Sequence, residues 1–73
     1  MYVRMNNLSS IVKELRKQNN LTQEDLSLKS GVGIRFVREL EQGKTTLRLD
    51  KVNQLLDLFN YEMVPASKRR DEV

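Results

Sequence analysis

The strongest constraint in this sequence is a pair of signals around one short segment. Thr22-Gln-Glu-Asp25 has the form of a capping box, in which the Thr hydroxyl and the Asp carboxylate satisfy each other's backbone amides. The segment Ser30-Gly31-Val32 follows soon after, and Gly31 can take a left-handed backbone at little steric cost. A helix is therefore expected to open at Thr22 and stop before Gly31, with Leu26 and Leu28 as its apolar residues. Such a helix is too short to be stable alone. It must pack against neighbours, and the sequence supplies them on both sides.

Upstream, Leu8, Ile11, Val12 and Leu15 fall at i, i+3, i+4 and i+7, one stripe of an amphipathic helix. The spacing predicts a helix from about Leu8 to Gln18 or Asn19, with Asn7, Ser9 or Ser10 as the cap and Asn19-Asn20 as a turn. Met1 to Asn7 shows no helical period. Downstream, a third helix is expected from about Gly33 to Gln42. Val37 and Leu40 face inward, Phe36 wedges beside them, and Gly43 closes the helix. Lys44 to Arg48 is a polar, basic loop. Leu49, Val52, Leu55, Leu56 and Phe59 give a fourth stripe, ended by Asn60. Tyr61 to Val64 has partial strand alternation before Pro65 and is read as a short edge strand in need of a partner. Ala66 to Val73 reads as a charged tail.

The expected organisation is thus an N-terminal segment over 1–7, one domain over 8–60, a dimerisation strand over 61–65 and a flexible tail over 66–73. The fold class is all-α: a bundle of four to five short helices with, at its end, the short strand. A chain of 73 residues builds only a small core, so association with a second copy has something to offer.

Composition narrows the function. The sequence contains no histidine and no cysteine, which removes most general bases, nucleophiles and metal ligands. The chain is read as a non-enzyme with no metal and no cofactor. No apolar run approaches the ~18 residues of a membrane span and no signal-peptide core opens the sequence, so a cytoplasmic protein is expected.

Binding remains. The net charge is +3, and it is concentrated. Residues 29–51 carry six basic residues (Lys29, Arg35, Arg38, Lys44, Arg48, Lys51) against Glu39, Glu41 and Asp50. That stretch includes the two short helices joined at Ser30-Gly31-Val32, a helix-turn-helix pattern. In that geometry the opening of the second helix meets base edges in the DNA major groove. Gly33, Ile34, Arg35 and Arg38 lie on its outer side. An arginine pairs bidentately with guanine, and Ile34 suits a thymine methyl. Arg38 also has Glu41 at i+3 as a competing ion-pair partner, and Phe36 reads first as core filler.

The stretch LRKQNNLTQEDLSLKSGVGIRFVRELEQGK, and residues 12–60 as a whole, resemble the helix-turn-helix domain of the phage-repressor (Cro and Xre) family. The shared features are Leu-Thr-Gln opening the second helix, a small-Gly-Val turn, and a third helix ending in Glu-x-Gly-Lys. The resemblance implies a lambda-repressor-like fold and DNA binding. It implies that Gln23 contacts a phosphate, beside amides at Thr22 that open the helix, and that Lys44, Thr45 and Arg48 contact phosphates from the loop. It implies a buried Arg16–Glu41 pair tying the first helix to the end of the third, and base reading at Gly33, Ile34, Arg35 and Arg38, with Glu39 a lesser candidate. Gly33 stands where the family commonly has Ser or Thr, which weakens the third helix's cap. Ser30 replaces a frequent Ala, and the fourth helix lacks the usual Pro near its start.

The end of the chain, GKTTLRLDKVNQLLDLFNYEMVP, resembles the HipB-like antitoxin branch. There a C-terminal strand pairs with its twin, which would place Tyr61, Met63 and Val64 in a homodimer. The implied function is a repressor of its own operon, acting on an inverted-repeat operator in double-stranded DNA, with a HipA-like kinase toxin as partner. Two readings stand beside it: a stand-alone repressor without a toxin, and a protein–protein adaptor that uses the fold without reading DNA.

Overall fold

The computed structural model describes residues 5–65. Four helices follow one another: α1 (Met5–Gln18), α2 (Gln23–Ser30), α3 (Ile34–Glu41) and α4 (Leu49–Asp57). The expected all-α bundle is the fold. Residues 1–4 and the tail over 66–73 lie outside the described residues.

Each helix turns one face inward. Leu8 and Val12 from α1, Leu26 from α2, Val37 and Leu40 from α3, and Val52, Leu55 and Leu56 from α4 form the buried core, joined by Val32 from the α2–α3 turn. Phe36, Leu47, Phe59 and Met63 pack against its edge. α3 rests on both α1 and α2, and α2 also touches α4. Each fully buried Leu or Val contributes about 1.5–3 kcal/mol of transfer free energy, enough to hold helices that would not form alone.

The local signals act as their chemistry predicts. The Thr22 hydroxyl accepts from the Asp25 amide at 3.0 Å, and the Asp25 carboxylate accepts from the Thr22 amide at 3.0 Å. Hydrogen bonds from Thr22 to the carboxylate, led by the one from its backbone amide, hold the Asp25 carboxyl below its usual range. Gly31 caps α2 with a φ of +84° and donates its amide to the Ser27 carbonyl. Gly43 follows α3 with a φ of +88°. Asn20 and Asn60, the expected stops after α1 and α4, both take positive φ. Gly33 caps α3 without any side-chain hydrogen bond.

Three expectations need correction. α1 starts at Met5 rather than Leu8. The backbone helix continues one turn ahead of its apolar stripe because backbone hydrogen bonding needs no apolar side chain, and Ser9 and Ser10 lie inside the helix. Leu28 is not a core residue: it is 82% exposed. α2 is so short, and so flanked by partners on one side, that only Leu26 is buried within it. α4 ends at Asp57, so Phe59 packs from a turn at Leu58–Asn60, and Leu49 is exposed. Within the single chain residues 61–65 pair as a strand with no other described segment. An isolated extended segment has no neighbour to close a ladder; here the Met63 amide donates to Asn53 Oδ1 at 2.8 Å instead.

Candidate nucleic-acid interface

The connection between α2 and α3 is fixed by several hydrogen bonds around three residues. The Ser27 hydroxyl donates to the Val32 carbonyl at 2.6 Å and the Ser30 hydroxyl donates to the Leu26 carbonyl at 2.7 Å. Gln54 Nε2, from α4, donates to the Ser30 carbonyl at 2.9 Å. Val32 fills the space beneath. The turn therefore has little freedom, and the direction of α3 relative to α2 is set by it.

A second fixture lies at the opposite end of α3. Glu41 is buried. Its carboxylate accepts from Arg16 Nε at 2.7 Å, from Arg16 Nη2 at 3.0 Å and from Gln23 Nε2 at 3.1 Å. Arg16 Nη1 also donates to the Leu21 carbonyl at 2.9 Å. The hydrogen bond to Glu41 raises the Arg16 pKa above its ordinary value. The resemblance-based pairing of Arg16 with Glu41 is thus present. Gln23, expected at a phosphate, is half-buried and joins α1, α2 and α3 through the same carboxylate.

Between these two fixtures α3 presents its outer face. Arg35 and Arg38 are exposed, and Ile34 and Glu39 are half-buried. Arg35 makes no side-chain ion pair or hydrogen bond among the described residues. Arg38 approaches Glu24 of α2 at 3.7 Å, not Glu41, because Glu41 points inward to Arg16 while Arg38 points out. Gly33 offers only backbone, with open space where a Cβ would stand.

Beside α3, a shallow groove of about 320 Å³ runs to the α3–α4 loop. Arg35, Phe36 and Glu39 form one wall, and Lys44, Thr46, Leu47, Arg48 and Lys51 the other. Lys44 pairs with Glu39 at 3.4 Å. Arg48 pairs bidentately with Asp50 at 2.7 and 3.2 Å, and this hydrogen bond holds the Asp50 carboxyl below its usual range. Thr45 is exposed and Thr46, rather than Thr45, lines the groove. Thr22 sits at the start of α2, where its hydroxyl oxygen serves the cap.

Lys51 was not among the residues singled out from the sequence. It occupies the first turn of α4, lines the groove and has no ion-pair partner among the described residues. The signal was available: with Arg48 it makes an i, i+3 cationic pair on the polar side of the stripe Val52–Leu55–Leu56. Ser27 and Gln54 were missed too, because a side chain that braces a turn across 5 or 24 residues leaves no local pattern.

The arrangement is two helices at a braced turn, an outward α3 whose Arg35 has no partner among the described residues, and a cationic groove along its flank. Residues 12–64 match the family model described as Helix-turn-helix. The chain belongs to the helix-turn-helix family. It is also 35% identical over 66 residues to a protein of Sinorhizobium fredii (strain NBRC 101917 / NGR234) named as an uncharacterized HTH-type transcriptional regulator, y4mF. That similarity covers 86% of this chain and 87% of the relative. α2 and α3 are the helix-turn-helix pair proper, both within the matched span. Among the described residues no helix is long and apolar enough to cross a membrane, and no group of three or more metal-ligating side chains occurs.

Proposed function

We propose that this helix-turn-helix protein is a sequence-specific DNA-binding transcriptional repressor that acts as a homodimer on an inverted-repeat operator. Membership of the family, and likeness to a named HTH-type transcriptional regulator, support DNA binding and transcription regulation. The observation that carries the finer reading is Arg35. It projects from the first turn of α3, lines the cationic groove and has no partner among the described residues. A guanidinium held at the opening of a major-groove helix can meet guanine O6 and N7 in a bidentate contact. Ile34 and Arg38 flank it, and Gly33 lets the backbone approach closely. Thr22, Gln23, Lys44, Thr45, Arg48 and Lys51 supply phosphate contacts around it, which fix register without reading sequence.

The homodimer rests on the end of the chain. Tyr61 and Val64 are 52% and 63% exposed while Met63 packs on the core, so the segment shows a covered side and an apolar outer side. A two-fold dimer that reads an inverted repeat needs its two copies of α3 about 34 Å apart, one turn of DNA, and pairing of this segment with its twin is the proposed way of joining them. The HipB-like antitoxin role, with a HipA-like kinase toxin as partner, is the narrowest form of this proposal. It differs from a stand-alone repressor only in the second partner.

The test is fluorescence anisotropy with duplex DNA from upstream of the protein's own gene, beside a scrambled duplex, across salt concentrations. Discrimination of about 10³-fold or more with a steep negative salt slope is the expected result. Equal weak binding to both duplexes, repeated with selected random-library DNA, would overturn the repressor reading in favour of an adaptor. Co-purification with a kinase-like protein encoded next to it separates the antitoxin from the stand-alone repressor.

A further inference from the structure

The ion pairs of the described chain are not scattered. One is the buried Arg16–Glu41 bridge. The other three are exposed: Arg38–Glu24 at 3.7 Å, Lys44–Glu39 at 3.4 Å and Arg48–Asp50 at 2.7 Å. Every cation in them belongs to the face assigned above to DNA. Lys13, Lys17 and Lys29 on other surfaces form no ion pair among the described residues. Glu14, Asp57 and Glu62 likewise pair with no cation there. Among the described residues, the exposed ion pairs thus lie only where DNA would bind.

A carboxylate and a phosphate compete for the same donors. Arginine's planar fork fits either, and lysine's ammonium serves either as a point charge. Each of these three pairs has both side chains substantially open to water, the least exposed being Glu39 at 37%. Exposed pairs of this kind are weak. A duplex, with one charge per about 1.7 Å of its axis, displaces a single carboxylate readily. The displaced carboxylate then stands beside a phosphate and must recruit a cation from solution. The net number of ions released on binding falls below the number of phosphates contacted.

We propose that Glu24, Glu39 and Asp50 are internal counterions of the DNA face. They hold Arg38, Lys44 and Arg48 in place in the free protein, and they weaken its sequence-independent attraction to DNA. Arg35 and Lys51, which have no such partner among the described residues, remain the first points of engagement. The three carboxylates come from three different places, the first turn of α2, the last turn of α3 and the first turn of α4. The inference rests on the DNA-binding reading above and concerns how strongly the face attracts any duplex.

The experiment compares the full chain with two triple variants on a scrambled duplex, by anisotropy at several salt concentrations. One variant is Glu24→Gln with Glu39→Gln and Asp50→Asn, which removes the paired carboxylates. The other is Glu14→Gln with Asp57→Asn and Glu62→Gln, which removes the same charge from unpaired positions. The paired variant is expected to bind about tenfold or more tighter than the unpaired one at equal salt. Its salt slope should be steeper by about one or more, since each fully released phosphate contact contributes about 0.9. Circular dichroism melts establish that both variants are folded. Coincident affinities and slopes for the two variants, with the parent chain binding DNA, would overturn the counterion role alone. Failure of the parent chain to bind any duplex at low salt would overturn the DNA reading and this inference with it.

Discussion

Arg16 and Glu41 meet through two hydrogen bonds of 2.7 and 3.0 Å although 25 residues separate them in the chain. The Glu41 side chain is only 2% exposed. Its charge is tolerated because the guanidinium and the Gln23 amide fill its acceptor sites. Removing the cation would leave that carboxylate buried with one neutral donor. Arg16→Ala should therefore lower stability by about 3–5 kcal/mol, read as a shifted urea midpoint. Arg16→Ala combined with Glu41→Met should cost less than the sum of the singles, because the orphaned charge is gone. A single-variant loss below about 1 kcal/mol would mean the pair is ornamental rather than structural.

Leu26 and Leu28 lie two residues apart on α2 and differ completely in burial, at 0% and 82% exposed. Leu26 is the only buried side chain of its helix. Leu26→Ala should cost about 2–5 kcal/mol, and it should loosen the α2–α3 unit as a whole. Leu28→Ala should change stability by less than about 0.5 kcal/mol. Thermal or chemical denaturation of the two variants side by side checks both statements.

The contrast between these two leucines marks how far the sequence was legible. Stripes at i, i+3, i+4 placed α1, α3 and α4, since each contributes at least two residues to the core and so carries a full period. α2 is too short for a period, and its extent was legible only through the cap at Thr22 and the glycine at Gly31. Those signals give boundaries but not a facing, so Leu28 was misplaced. The Arg16–Glu41 link was visible only through family resemblance, because nothing local to either residue points to the other. The bracing of the turn by Gln54 was not legible before α4 was placed against α2 and α3, and the groove position of Lys51 was signalled only by its i, i+3 spacing from Arg48. Tyr61 to Val64 carries strand-like alternation, but alternation specifies a ladder only when another strand is beside it.

The capping box gives stability a defined acid dependence. Hydrogen bonds from Thr22 lower the Asp25 pKa in the folded chain. The contribution is therefore complete above the ordinary carboxylate value of about 3.9 and fades as pH falls through the lower folded value. Asp25→Asn should be less stable than the parent chain at pH 7. The difference between the two should shrink as pH falls below about 4, where the unfolded chain takes up the proton first and the folded carboxyl follows at its lower value. Urea midpoints collected between neutral and strongly acidic pH test this. A difference that stayed constant across that range would show that the charge on Asp25 is irrelevant to the cap.

Tyr61 and Val64 offer a way to separate association from folding. Both are exposed, whereas Met63 between them packs on the core and its amide is held by Asn53. Tyr61→Ser with Val64→Ser should leave the thermal unfolding of dilute protein nearly unchanged. It should shift the chain toward monomer in sedimentation and weaken binding to an inverted-repeat operator more than to a half-site. An unaltered dimer would place the interface elsewhere on the surface.

Arg35 and Lys51 line the same groove and both lack an ion-pair partner among the described residues, yet they are expected to behave differently. Arg35 stands in the first turn of α3, the helix assigned to the major groove. Arg35→Ala should cost about 1–3 kcal/mol on the best operator and relax the preference at one base position. Lys51 stands in the first turn of α4, on the far wall, where the duplex backbone would pass. Lys51→Ala should weaken operator and scrambled DNA by similar factors and make the salt slope shallower by about one. The two effects are read in one set of titrations, operator against scrambled duplex at several salt concentrations. Equal losses on both duplexes for Arg35→Ala would remove its base-reading role, and an unchanged slope for Lys51→Ala would remove its phosphate contact. Interchanged behaviour would mean that the duplex lies across the α4 side of the groove, with α3 at the backbone rather than at the bases.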